Sequence, residues 1–383
     1  MSRYLFVVPP FAGHVNPAIG VADELAGRGH AVSWVGDKRV LDALLPTGTV
    51  IHECASPVSD RPADVRGFAA LKFLWEEVLI PLAESMVPAV EDAVAKDQPD
   101  VLVVDQQAFA GSVVAERIGI PWVTSATTSA ELADPLAALP KARDWVIELL
   151  ARLRRRYGDP GKEGDLRFSP HLVLGFTTRA LIGEQRAGGG KVCFVGPVWR
   201  RQAAGLASPL ARLDAAKPLV YISLGTVNAD VSERFLHECV EALRSRPWLQ
   251  AVVADPGCVI TDAPEHVVVR EAVPQLAVLE RCSAVVCHAG HNTVCEALGN
   301  GVPLVVAPIR DDQTIVADQV VRAGAGVRLR FARARATHIG RAIDDVLHQP
   351  GYLRAACEVR DSFRAAGGAR AAADQLEAVA APA

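Results

Sequence analysis

The 383-residue sequence has no excess of either charge, no Cys-x-x-Cys pair, no stretch that reads as a signal h-region and no apolar run of membrane length. Each absence removes a class. Forty basic side chains against 44 acidic ones give a formal net charge of −4, which excludes a general polyanion binder and sets nucleic acid aside as a partner. The amino terminus, Met1-Ser2-Arg3-Tyr4 followed by LFVV, reaches Pro9-Pro10 too early for a signal h-region. Export is therefore not expected, and the eight scattered cysteines read as free thiols of a cytoplasmic protein. Apolar runs such as PLVVAPI (303–309) are of strand length, well short of the ~20 residues of a membrane span, so no integral membrane association is expected. No Gly-x-Gly-x-x-Gly follows a strand-like run and no Walker lysine loop is present, which weakens dinucleotide oxidoreductase and nucleoside-triphosphatase readings. What is present, 50% hydrophobic and 22% charged residues, suffices for two cored domains.

Short Val/Leu/Ile/Phe runs alternate with helix-period segments. YLFVVP (4–9), a helix at about 17–28 and HAVSWVG (30–36) make a βαβ unit; an amphipathic stretch at about 66–95, VLVVD (101–105), a helix at about 109–118 and IPWVTS (120–125) continue it. Runs this continuously apolar suit parallel strands covered on both faces. From 126 to 165 the rhythm stops at a helical stretch with Lys141, Arg143, Arg152, Arg154, Arg155 and Arg156. Asp144 and Glu148 interrupt it, so it reads as a solvated face, with an anionic membrane or acidic acceptor as the alternative. After an Ala/Pro/Arg-rich linker, LVYISLG (219–225) restarts the alternation as a second doubly wound α/β domain.

Open parallel sheets bind ligands at the carboxyl ends of their strands, so the residues after each run are the candidates. FAGHVNP (11–17) presents His14 on a loop, with Asn16 as N-cap and Pro17 at the first helical position. Its imidazole either accepts a proton near pH 7 or bonds loop backbone. Asp105, ending VLVVD, either orients His14 or caps the next helix. In the second half, CHAGHNTVCEAL (287–298) passes through a glycine turn into a helix capped by Asn292 or Thr293. Such a helix start suits a diphosphate without any lysine, and Glu296 one turn in can accept ribose hydroxyls. His288-x-x-His291 has only Cys287 and Cys295 as further donors, so no metal is expected. Ser223-Leu224-Gly225-Thr226 is a hydroxyl- and amide-rich turn; Arg310-Asp311-Asp312-Gln313 sets carboxylate and amide where they share sugar hydroxyls or form surface acids.

GHVNP, SLGT, VPQLAVL (273–279), HAGHNTVCEAL, GVPLVVAPIRDDQ and the alanine-rich final helix, in that order and spacing, resemble family-1 nucleotide-sugar glycosyltransferases of the GT-B fold. The flavour is that of bacterial enzymes that decorate natural products, and the likeness spans essentially the whole chain. The resemblance implies two facing Rossmann-like domains with an interdomain cleft: 1–200 binding the acceptor, 201–217 as linker, 218–350 binding the nucleotide sugar, and 351–383 as helices returning to the first domain. It implies that His14, oriented by Asp105, deprotonates an acceptor that attacks the anomeric carbon with inversion. It places the nucleobase against Val273, Pro274 and Gln275, the ribose on Glu296, the diphosphate near Ser223, Thr226, His288, Gly290, Asn292 and Thr293, and the sugar hydroxyls on Asp312 and Gln313. Ala272 stands where family members often carry a stacking aromatic, which leaves UDP and dTDP open as the nucleotide. No cofactor or metal beyond the co-substrate is implied. The acceptor would be small and apolar, lined by Phe68, Phe73, Trp75, Leu132, Leu139 and Trp145, unless these residues are simply core, and the enzyme a monomer or weak dimer. The rival readings are a catalytically silent partner or activator of the same fold, a nucleotide-sugar epimerase and a cell-wall precursor transferase.

Overall fold

The computed structural model describes residues 1–57, 65, 67–184, 190–199, 210, 213–225 and 229–381, without the side chains of 229 and 230. Thr226 and most of the expected linker at 201–217 lie outside the described residues.

The apolar runs form two sheets whose described pairings are all parallel. The first contains β1 (Arg3–Val7), β2 (Ala31–Gly36), β3 (Val50–Glu53), β4 (Val101–Asp105), β5 (Trp122–Ala126), β6 (Leu172–Gly175) and β7 (Val192–Phe194), in the order β3-β2-β1-β4-β5-β6-β7. The second contains β8 (Leu219–Ser223), β9 (Gln250–Ala254), β10 (Val267–Arg270), β11 (Ala284–Cys287), β12 (Leu304–Val306) and β13 (Gly326–Arg328), in the order β10-β9-β8-β11-β12-β13. Every residue of β4, β5 and β8 is buried, as strands between two helical layers require. In both sheets the chain winds one way from its first strand and then the other. The strand order therefore reverses between β1 and β4 and again between β8 and β11, which is where an open α/β sheet leaves a crevice.

Contacts divide the chain into two compact units: Met1–Thr178, Glu184–Arg200 and Ala366–Ala383 in one, Arg179–Gly183 and Arg201–Ala365 in the other. The division places 351–365, expected with the C-terminal return, in the second unit. The helix Gly368–Ala380 belongs to the first, where Ala372, Ala373 and Leu376 are fully buried in one apolar cluster with Ile19, Leu25 and Val103. Ion pairs frame that seam: Arg28 Nη1 donates to Asp374 at 2.6 Å and to Glu377 at 2.8 Å, and His30 Nε2 lies 2.8 Å from Glu377. The amphipathic stretch predicted at 66–95 is one helical run, Phe68–Phe73, a π-helical turn Leu74–Leu79, then Ile80–Asp97. No described helix is long and apolar enough to cross a membrane, and none of the eight cysteines is in a disulfide.

Candidate active site

At the β1/β4 reversal, His14 stands on a helix and not on a loop. The helix runs Ala12–Gly27 from Phe11, whose extended backbone and carbonyl start the first turn by accepting from the amides of His14 (2.8 Å) and Val15 (3.2 Å). Asn16 is thus no cap, and Pro17 lies inside the helix. Pro17 has no N–H to donate to the carbonyl four residues back, so it contributes no bond to the ladder there. The outcome is a more rigid mount for the imidazole than a loop offers.

His14 Nδ1 lies 3.0 and 3.1 Å from the two carboxylate oxygens of Asp105, the last residue of β4. The Gln107 amide donates to Asp105 Oδ1 at 2.9 Å, and the Thr127 hydroxyl donates to Oδ2 at 2.6 Å while standing 2.8 Å from His14 Nδ1. Asp105 is 1% exposed and Thr127 2%, whereas the His14 side chain keeps 18%. A carboxylate only accepts, so this network assigns the ring proton to Nδ1 and leaves Nε2 as the basic nitrogen. A proton arriving at Nε2 makes an imidazolium beside a buried anion, where the attraction is much stronger than in water.

At the β8/β11 reversal, β11 leads through His288, Ala289 and Gly290 into the helix His291–Gly299. Gly290 is the N-cap, in place of the expected Asn292 or Thr293, and no side chain caps the helix. A chain that turns this sharply holds Ala289 in the left-handed region, at φ 65, a conformation that costs a non-glycine residue about 1–3 kcal/mol. The His288 imidazole is wedged between two glycines: a Cβ at Gly290 would lie 2.4 Å from its Nε2 and one at Gly225 2.9 Å from its Cε1. Burial lowers its pKa to about 4, and the positive charge of Arg310 acts in the same direction. Its Nδ1 is buried without a hydrogen-bond partner among the described residues.

One turn into that helix, burial pushes Glu296 up to about 7, although its bond from the Gln275 amide acts the other way. The Gln275 carbonyl in turn accepts from the Tyr221 hydroxyl at 3.0 Å. Ser223 ends β8, nearly buried, and its hydroxyl accepts from Gly225 N at 3.4 Å; Val273 is half-buried. Thr293 is buried and Asn292 half-buried in the first turn. After β12, Gln313 faces inward: its carbonyl oxygen accepts from the amides of Ile309 (2.9 Å) and Arg310 (3.0 Å), so it braces the turn. Asp312 is the N-cap of the helix Gln313–Arg322 without capping it through its side chain. Among the described residues no three His, Cys, Asp or Glu side chains converge as metal ligands; His291 is buried beside Cys295, 3.5 Å from Nε2 to Sγ.

One other expectation is corrected in part. Trp75 and Leu132 are core residues, 3% and 0% exposed, and Trp75 stacks on Phe109 at 5.6 Å. Phe73 packs partly buried against the same core, while Phe68 and Leu139 are exposed, with Phe68 against Trp145 at 6.0 Å. In the basic helix Arg154 is buried on Glu116, while Arg155 pairs with Glu148 and Arg156 with Glu84 on the exposed side, as a solvated face allows. Thr127 and Tyr221 are the residues sequence reasoning overlooked. For Thr127 the signal was its place directly after a strand neighbouring that of Asp105.

A family model described as UDP-glucoronosyl and UDP-glucosyl transferase matches residues 202–360. NDP-glycosyltransferase YjiC of Bacillus licheniformis is 28% identical over 387 residues, which cover 98% of this chain and 96% of the relative. Demethyllactenocin mycarosyltransferase of Streptomyces fradiae is 30% identical over 414 residues, covering 100% of this chain and 87% of the relative. A crystal structure of the glycotransferase of kitacinnamycin superposes with a TM-score of 0.81 at 27% identity, covering 99% of this chain and 98% of that one.

Proposed function

The chain belongs to the family-1 nucleotide-sugar-dependent glycosyltransferases of the GT-B fold, and from that premise we propose that it is an inverting, metal-independent enzyme moving a sugar from a UDP- or dTDP-sugar to a small, apolar natural-product acceptor. The observation that carries the reading is the His14–Asp105 pair at a strand-order reversal, 3.0 and 3.1 Å between Nδ1 and the carboxylate. In the reaction, Nε2 takes the proton of the acceptor nucleophile and the freed electron pair attacks the anomeric carbon. The bond from that carbon to the diphosphate oxygen breaks, and the configuration inverts. Asp105 holds the ring tautomer and stabilises the imidazolium.

The departing diphosphate gathers negative charge, and a helix amino terminus is fixed to receive it without a divalent ion. The start of His291–Gly299, with Ser223, Thr226, His288, Gly290, Asn292 and Thr293, takes that role. Glu296 takes the ribose, and a carboxyl near pH 7 in its titration can both donate and accept there. The segment of Val273 and Gln275 takes the nucleobase. Asp312 and the amide N–H groups of Gln313 take the sugar, since the Gln313 oxygen is already bonded to backbone. The 30% identical relative is named for mycarosyl transfer to demethyllactenocin, which supports a natural-product acceptor. Eight free thiols support a reducing, cytosolic setting.

The test is His14→Ala, assayed with and without a chelator. Transfer should fall by about 10²–10⁴-fold with nucleoside-diphosphate binding intact, and the wild type should be indifferent to the chelator. Undiminished turnover of the variant discards the base, and wild-type activity that a chelator abolishes and magnesium restores discards metal independence.

A further inference from the structure

We propose that Thr127 is a positioning residue of the transfer reaction, a third member that clamps the His14–Asp105 pair; this rests on the reading of His14 as the base. The register Asp105↔Ser125 between β4 and β5 brings the end of β5 beside Asp105, and Thr127 is the first residue beyond that strand. A hydroxyl has one proton. Here it goes to Asp105 Oδ2 at 2.6 Å, so the oxygen lone pairs face His14 Nδ1–H at 2.8 Å.

The clamp supplies what the pair lacks. His14 Nδ1 is nearly equidistant from both carboxylate oxygens, so the imidazole selects neither and leaves the carboxylate plane undetermined. The Gln107 amide fixes Oδ1 alone, about which the carboxylate can still pivot. Thr127 fixes Oδ2 and gives Nδ1–H a third oxygen, one that a flipped ring presenting Cδ2–H cannot use. Its β-branched side chain is stiff at χ1, and at 2% exposure it is withdrawn from bulk solvent. Neighbouring hydroxyls are committed elsewhere: Thr124 donates to the Arg167 carbonyl at 3.2 Å and accepts from the Ser169 amide at 2.7 Å, and Thr128 accepts from the Ala130 amide at 3.4 Å. During transfer the acceptor proton moves to Nε2, Nδ1–H stays between Asp105 and Thr127, and Thr127 loses no proton.

The experiment compares Thr127→Val, Thr127→Ser and His14→Ala in the full chain. Protein labelled with ¹⁵N-histidine reports the His14 Nδ1–H proton, identified by its disappearance in His14→Ala. Transfer from UDP-glucose or dTDP-glucose to 4-methylumbelliferone reports kcat and KM. In wild type and Thr127→Ser the Nδ1–H signal should persist downfield; in Thr127→Val it should be lost to solvent exchange. The valine variant should lose about 10- to 100-fold in kcat with both KM values within about twofold, and serine should restore kcat to within about threefold. A folded Thr127→Val that keeps the Nδ1–H signal overturns the proposal, as does one with full kcat or a serine variant that falls as far as valine. If His14→Ala itself turns over undiminished, it is the base assignment that fails.

Discussion

At the β1/β4 reversal each oxygen of Asp105 has a donor besides His14, whereas at the β8/β11 reversal the buried His288 Nδ1 has none among the described residues and Glu296 is pushed up to about 7. Equivalent places in two similar sheets thus follow different rules. A proton-transfer group must be in place before substrate arrives, and a satisfied network holds it there at little cost. A ligand-holding group gains most when its polar atoms wait for the ligand, because burying them unsatisfied costs free energy that binding restores. On the proposed function the second cluster, with its left-handed Ala289 and raised Glu296, is of that kind.

The contrast breaks most sharply at Asp105. Asp105→Asn sets an amide where the ring proton needs an acceptor and favours the wrong tautomer; kcat should fall by about 10³–10⁴-fold. UDP and dTDP titrations of the same variant should match wild type, and a parallel loss of nucleotide affinity would erase the distinction between the clusters. Next in size is Gly290→Ala. Its methyl would meet an imidazole that Gly225 prevents from retreating, a misfit of about 1–3 kcal/mol. Calorimetric titration should show nucleoside-diphosphate affinity about tenfold weaker, with the His14 Nδ1–H signal unchanged.

The smallest effect sharpens the comparison through pH. The folded pKa of Glu296 lies above its unfolded value, so its contribution is fully present below about pH 4.5 and is lost as pH rises through about 7. His288 behaves in the opposite sense: its folded value of about 4 means that stability present above about pH 6.5 is lost as pH falls toward 4. Glu296→Gln should remove the first slope, amounting to about 1–2 kcal/mol once partial solvent screening is allowed for. Thermal melts from pH 4 to 8 should then keep the acid limb, to which His288 contributes, without the loss toward neutral pH. A glutamine variant that still loses stability between pH 5 and 7 would mean that Glu296 is not the group responsible.

Much of this architecture was legible because strands covered on both faces must be continuously apolar; β1, β4, β8 and β11 announce themselves, and with them the positions of His14, Asp105 and His288. The edge strands β3, β7 and β13 are short and only partly covered, so nothing demands a continuous, fully apolar run of them. The start of the first helix misleads because Asn16-Pro17 is a stronger capping signal than the uncapped Phe11 where the helix begins. Thr127 is one of five hydroxyl residues in TSATTS, and only the pairing of β4 with β5 selects it. Gln313 sits in a motif of exposed character, yet its side chain turns back to hold Ile309 and Arg310.

The seating of Gly368–Ala380 on the first unit bears on how the chain is made. Ala372, Ala373 and Leu376 complete an apolar cluster begun by Tyr4, Phe6 and Ile19, so that cluster closes only after more than three hundred intervening residues have left the ribosome. The amino-terminal unit therefore cannot mature in order of synthesis. Nascent chains arrested short of Gly368 should expose its apolar seam to chaperones, while the second unit, bounded at Ala365, already has its whole sequence.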